Sequence, residues 1–155
     1  MTQNNETQEI RKWGMWAHLS SLIWIPFIFI GFTLPVLNII GPLTIWWFKR
    51  SDDSFIDEQA KESLNFQLCF TIYNFIMALI LLVPSIIIGL TRIAAIGRSG
   101  TEQDGDILFG LKLGTLSFSL TILLAISQLI LVINASRKAK NGEFYLYPFT
   151  IRFLR

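Results

Sequence analysis

Few side chains in this sequence are of a type that could do chemistry. The chain has one histidine, His18, and one cysteine, Cys69. A nucleophilic mechanism needs a nucleophile beside its base, and a metal centre needs several ligands at workable spacing. One imidazole and one thiol supply neither without several carboxylates at the same depth. His18 is either a proton-responsive group, because its unperturbed pKa lies near neutrality, or a histidine hydrogen-bonded to a neighbour at a membrane edge. Cys69 has no second cysteine with which to close an intrachain disulfide. The acids Asp57, Glu58 and Glu62 either dock a basic partner or a cation, or form the solvated face of a helix. Gly97 to Gly105 is glycine-rich but lacks the lysine and the helix context of a phosphate-binding loop. The expectation is a chain with no catalytic residue, no cofactor and no metal, hence not an enzyme. A lipid-directed enzyme would need a polar cluster at headgroup depth around His18 and Glu62.

The sharpest polar signal lies in FIDEQAKESLNFQLCFTIYN, Phe55 to Asn74. Gln59, Ser63, Gln67, Thr71 and Asn74 fall at helical steps and share one face, which stays polar inside an increasingly apolar segment. Amides in lipid are costly unless paired, so Gln67, Thr71, Asn74 and Gln128 are candidate interior polar residues. They serve either as hydrogen-bonded glue between helices or as the lining of a polar path. A second stripe, Gly110, Gly114, Ser117, Thr121, Ala125 and Gln128, is built of small and polar residues. Gly110, Gly114, Ser117 and Thr121 are its candidate helix contacts, with Gly110 and Gly114 forming a GxxxG pair.

The elements carrying these residues follow from charge segregation. With 52% apolar and 15% charged residues, and a mean hydropathy of +0.52, the chain is more apolar than soluble domains are. Trp13 to Phe48, Ser63 to Thr91 and Leu113 to Ser136 contain no Asp, Glu, Lys or Arg. Each exceeds the roughly 20 residues that cross a hydrocarbon core. The first gap is interrupted by Pro26, Gly31, Pro35 and Gly41-Pro42, and the natural turn falls at Gly31 to Pro35. Its arms, 13–30 and 36–48, form a short or re-entrant hairpin, read as retained membrane sequence and not as a cleaved signal. Residues 1–12 read as a polar N-terminal tail. Residues 55–90 read as an amphipathic start, with a Ser54/Asp57 capping box, continuing into a spanning helix that Pro84 kinks. A polar outer loop, Gly97 to Asp106, leads to a second spanning helix over 107–135. Residues 141–155, aromatic and basic, read as an interfacial tail.

Doubling back in the first gap places ten of the thirteen basic residues on one side, leaving Arg92, Arg98 and Lys112 on the other. The positive-inside rule then puts both termini in the cytoplasm. The net charge of +2, with its basic residues at segment ends, argues against nucleic acid as a partner.

Several patches resemble a known family. They are Ala17-His18-Leu19-Ser20; Asn38-Ile39-Ile40-Gly41-Pro42-Leu43 with Trp46; Phe55, Asp57 and Lys61-Glu62-Ser63-Leu64-Asn65-Phe66-Gln67; Asn141-Gly142-Glu143; and Tyr147-Pro148 with Thr150-Ile151-Arg152-Phe153. Together they resemble the Tic-twenty-like family, small bacterial and archaeal membrane proteins related to the import subunit of the chloroplast inner-envelope translocon, some magnetosome membrane proteins among them. Ser63, where that pattern has a small alanine, and the Gly97 to Asp106 loop depart from it. The resemblance implies an all-helical membrane protein of about four segments with both termini cytoplasmic. It adds His18, Asn38, Pro42, Asp57, Glu62, Asn65, Gly142, Tyr147, Pro148 and Arg152 to the residues of interest.

The combined expectation is an all-α, polytopic membrane helical bundle of about four segments forming a single integral membrane domain in a prokaryotic cytoplasmic membrane. Its partners would be the lipid bilayer and other membrane proteins or itself. It would act as a non-enzymatic assembly or translocon-like subunit, the alternative being a small channel or carrier lined by Gln67, Thr71, Asn74 and Gln128.

Overall fold

The structure is a computed structural model that describes residues 2–29, 36–99 and 104–155. Every regular element among them is helical: α1 (Thr2–Leu19), a 3₁₀ turn (Ser20–Leu22), α2 (Trp24–Phe29), α3 (Leu37–Lys49), α4 (Ser54–Met77), a π-helical turn (Ala78–Leu82), α5 (Val83–Ser99) and α6 (Asp104–Lys140). The expected turn at Gly31 to Pro35 lies outside the described residues. So does the middle of the expected outer loop, into which α5 and α6 run from either side. Residues 2–12 are helical, forming the first turns of α1 instead of a loose tail.

Among the described residues, two helices are long and apolar enough to cross a membrane, Ser54–Ala94 and Leu108–Lys140. The six residues of α2 and the thirteen of α3 fall short of the roughly 20 that a straight crossing takes. The regular structure of the described residues is therefore all-helical, with two helices of spanning length among them.

The chain divides into two compact units, one comprising Met1–Thr71 and Ser127–Arg155 and the other Ile72–Ile126. In the first, residues 56–69 of α4 are buried on nearly every side, so both its apolar and its polar faces must be matched. The apolar match is a core of Phe66, Val132, Ala135 and Tyr147, to which Leu19, Leu22, Phe70, Leu131 and Tyr145 add. Phe66 and Tyr147 stack face to face, with centroids 4.0 Å apart and planes 5° from parallel. Gln128, Val132, Ala135 and Ala139 are all buried and recur every three or four residues, so the small-residue face of α6 continues past Gln128 to the helix end.

Close approach depends on glycine at two points in this unit. A Cβ on Gly41 would run into the backbone carbonyl of Ser20, which is how α3 lies against the 3₁₀ turn, and one on Gly14 would come within 2.6 Å of the Phe55 ring. The N-terminus of α4 is capped by Asp53, whose Oδ1 accepts from the Phe55 amide at 2.7 Å. The expected Ser54/Asp57 box does not form. Asp57 is instead engaged by Trp46 Nε1 at 2.8 Å and by Lys61 at 2.6 Å.

In the second unit, Pro84 acts on α5 through a π turn rather than a simple kink. Proline has no N–H for the carbonyl of Ile80, and the helix widens just before it, with the Val83 amide reaching five residues back to Ala78 O. Ser85 Oγ donates to Gly110 O at 2.8 Å. A Cβ on Gly110 would lie 3.2 Å from Ile88 Cγ2, and one on Gly114 would lie 3.0 Å from Ser85 Oγ.

Candidate functional site

The first unit holds three hydrogen-bonded groups, all built on α4. The first is centred on His18, which is fully buried at the end of α1 and outside both helices of spanning length. Its Nε2 lies 2.7 Å from Gln59 Oε1 and its Nδ1 lies 3.0 Å from the Tyr147 hydroxyl. The consistent assignment has Nε2–H donating to the Gln59 carbonyl oxygen and Tyr147 O–H donating to Nδ1. Gln59 Nε2 in turn donates to Glu143 O at 3.1 Å. Burial lowers the His18 pKa to about 4, outweighing an upward pull from Gln59, so the ring is neutral at pH 7. Burial also pushes the Tyr147 phenol well above its ordinary value, with Tyr145 and Glu62 adding to the shift.

The second group holds residues 143–154 of the chain as a strap along α4. Glu62 Oε1 accepts from the Tyr147 amide at 2.9 Å, and Glu62 Oε2 accepts from Arg152 Nε at 3.2 Å. Asn65 Oδ1 accepts from the amides of Phe153 and Leu154, while its Nδ2 donates to Leu154 O at 2.9 Å. Cys69 Sγ accepts from the Ile151 amide at 3.1 Å. Side chains of a helix thus satisfy backbone groups of a segment that has no regular partner of its own. The strap leaves α6 through a Schellman turn: the Gly142 amide donates to Ala139 O and the Glu143 amide to Lys138 O, both at 2.9 Å. Gly142 takes φ +82°, and a Cβ there would lie 2.8 Å from Arg11 Nε. The segment read as an interfacial tail is anchored in the protein on one side.

The third group brings together Gln67, Thr71 and Gln128 of the predicted interior set, with Asn38. Gln67 Oε1 accepts from Asn38 Nδ2 at 2.9 Å and from Gln128 Nε2 at 2.8 Å. Asn38 Nδ2 also lies 3.3 Å from Thr71 Oγ1. Because Oε1 receives two donors, the amide orientation is fixed, and its Nε2 is left buried without an acceptor, as is Ser63 Oγ one turn earlier. Asn74, the fourth residue of that set, is half-buried and lies in the second unit. Gly110 and Gly114 face α5, Ser117 is buried, and Thr121 Oγ1 donates to Ser117 O at 2.9 Å. Pro42 is buried inside α3, while Asp57 pairs with Lys61 and Trp46. Pro148 and Arg152 lie on the strap. Among the described residues, no group of three His, Cys, Asp or Glu side chains is arranged to hold a metal ion.

Sequence reading missed the engagement of Glu62, Asn65 and Cys69 with the strap. Their spacing carried a signal, since three polar or polarisable residues at steps of three and four mark a second non-lipid face on α4.

Comparison with known proteins then decides the family. Neither the curated proteins nor the solved structures yield a match. A family model does match, over residues 9–154, and it is that of the magnetosome magnetite crystal formation proteins, MamF and MmsF. This overturns the resemblance to the Tic-twenty-like family, since the match covers nearly all of the chain, including every patch on which that resemblance rested. The chain belongs to the magnetosome magnetite crystal formation protein family.

Proposed function

We propose that the chain is a non-enzymatic integral protein of a magnetosome membrane that supports magnetite crystal formation as an assembly subunit, contacting itself or other membrane proteins. One observation carries this reading. The groups best suited to chemistry, His18, Gln59, Glu62, Asn65 and Tyr147, are spent on the protein's own hydrogen bonds, whereas α5 and the first half of α6 turn large apolar side chains outward. Ile87, Leu90 and Ile93 on α5, and Leu111, Phe118 and Leu123 on α6, are all exposed. Such surfaces need lipid or a partner helix to cover them. Ser54–Ala94 and Leu108–Lys140 would cross the bilayer, with both termini on the cytoplasmic side as the basic residues favour.

The test is deletion of the coding sequence in a magnetosome-forming bacterium, with crosslinking of the reintroduced protein in isolated magnetosome membranes. Altered crystal size together with specific crosslinked species is the expected result. Unchanged crystals, or a protein that is monomeric and without partners in the membrane, would overturn the reading.

The unpaired Gln67 Nε2 favours a second reading, a small channel or carrier of which Gln67, Thr71 and Gln128, the members of the expected lining that meet in the first unit, form part of the path. Reconstituted protein with no ion or solute flux, or flux indifferent to Gln67→Leu, would eliminate it.

A further inference from the structure

The strap has two unlike sides. Inward, its backbone and Tyr147, only 3% exposed, are tied to α4 and His18. Outward, Phe144, Leu146, Phe149, Ile151 and Phe153 are each more than half exposed. Phe149 is 90% exposed and takes φ +56°, the one non-glycine residue at positive φ among the described residues. A bulky side chain in the left-handed region is strained, and a turn there is ordinarily given to glycine or asparagine. Here the strain projects a phenyl ring outward at the tip of the strap, just after Pro148. The ring is presented by a segment whose ends are fixed, because the Tyr147 amide is held by Glu62 and the Ile151 amide by Cys69.

Charge identifies what the outward side meets. Arg137, Lys138 and Lys140, in the last turn of α6, and Arg155, at the end of the strap, are exposed; Glu143 is the one acid of residues 137–155. Aromatic rings interleaved with lysine and arginine suit the headgroup layer of an anionic bilayer, where rings enter the acyl boundary and cations reach phosphates. On α4 itself, Cys69, the anchor of the strap's far turn, lies one turn before an exposed apolar run that begins at Ile72 and includes Phe75 and Ile76.

We infer that the strap is a preformed membrane-surface anchor, with Phe149 and its apolar neighbours in the headgroup and acyl boundary of an anionic bilayer and the 137–140 cations on its phosphates. The inference rests on the integral membrane reading above. It adds that the C-terminal segment is held to the lipid surface by side chains of α4, with Phe149 as its deepest residue.

The test uses the full-length protein in vesicles of phosphatidylglycerol and phosphatidylethanolamine, with a nitroxide on Phe149→Cys and, separately, on Glu6→Cys. Wild type treated with the same reagent gives the background from buried Cys69. Carbonate washing first establishes whether the protein stays in the vesicles. Release would overturn the membrane reading and this inference with it. For retained protein, the label at 149 should collide more with oxygen than with a soluble nickel chelate, the reverse of the order at 6, and should move toward the aqueous order in vesicles of phosphatidylcholine alone. Retained protein with 149 open to the nickel chelate would overturn the anchor and leave the membrane reading standing. Shielding from both reagents would overturn it by showing protein, such as a second copy, on that face. Indifference to headgroup charge would overturn the role of the cations.

Discussion

His18 and Tyr147 lie 129 positions apart in the chain and meet at 3.0 Å, imidazole Nδ1 to phenol Oη, with neither side chain open to solvent. Their contact closes the first unit, because His18 ends α1, Gln59 beside it belongs to α4, and Tyr147 brings the strap. A buried imidazole is stabilising only when both ring nitrogens are satisfied, and here each nitrogen has a partner of the right kind.

Tyr147→Phe keeps the ring stacked on Phe66 but removes the donor to His18 Nδ1. The unpaired nitrogen is expected to cost about 1–2 kcal/mol, read as a lower midpoint in denaturant unfolding of the detergent-solubilised protein. Tyr145→Phe, at a half-buried ring on the same strap, should stay within about 0.5 kcal/mol of wild type. Equal effects from the two substitutions would show that the His18 contact contributes nothing.

Acid should loosen the same contact. The His18 pKa is lowered to about 4 in the folded protein and stands near 6.5 when unfolded. Between those values the unfolded chain binds a proton that the folded chain does not, so stability falls as pH drops from about 6.5 to about 4. The loss across the whole window is on the order of 3 kcal/mol. Unfolding curves at pH 7 and pH 5 measure it, and His18→Asn, which cannot titrate there, should flatten this part of the dependence. An unchanged slope in that variant would assign the dependence to other groups.

How far the sequence reveals this arrangement differs from group to group. Gln67 and Gln128 stand out because amides in apolar runs require partners, and they bond to each other. Asn38 as their third member is not readable, since nothing in residue type sets the register of α3 against α4. The interruptions in 13–48 indicate short helices, but composition does not show that Asn38 and Trp46 of α3 bond to Gln67 and Asp57 of α4. The aromatic and basic residues of the strap describe its outward side, so its sequence reads as a surface segment. Its inward bonds are made by the backbone, which leaves no mark in residue type.

The hold of α4 on the strap is testable by proteolysis. Asn65 makes three bonds to the strap's end, through both its oxygen and its nitrogen. Asn65→Ala should free residues 152–155, so that trypsin cleaves after Arg152 at least several-fold faster than in wild type, while helix content by circular dichroism is retained. Unaltered cleavage would mean that Glu62 and Cys69 hold the segment without it.

The Gln67 cluster separates glue from path. Gln67→Leu leaves Gln128 Nε2 buried without its acceptor, although Asn38 keeps Thr71, and Gln128→Leu leaves Gln67 Oε1 with Asn38 alone. Gln67→Leu is expected to cost about 1–3 kcal/mol, the penalty of an unpaired buried amide on Gln128, and Gln128→Leu about 1 kcal/mol, the loss of one hydrogen bond. The double change should cost less than the sum by about 0.5–2 kcal/mol, since removing both partners leaves no amide unpaired between them. Strict additivity of Gln67 and Gln128 in this cycle would mean that they do not bond, and would remove the support for the glue reading.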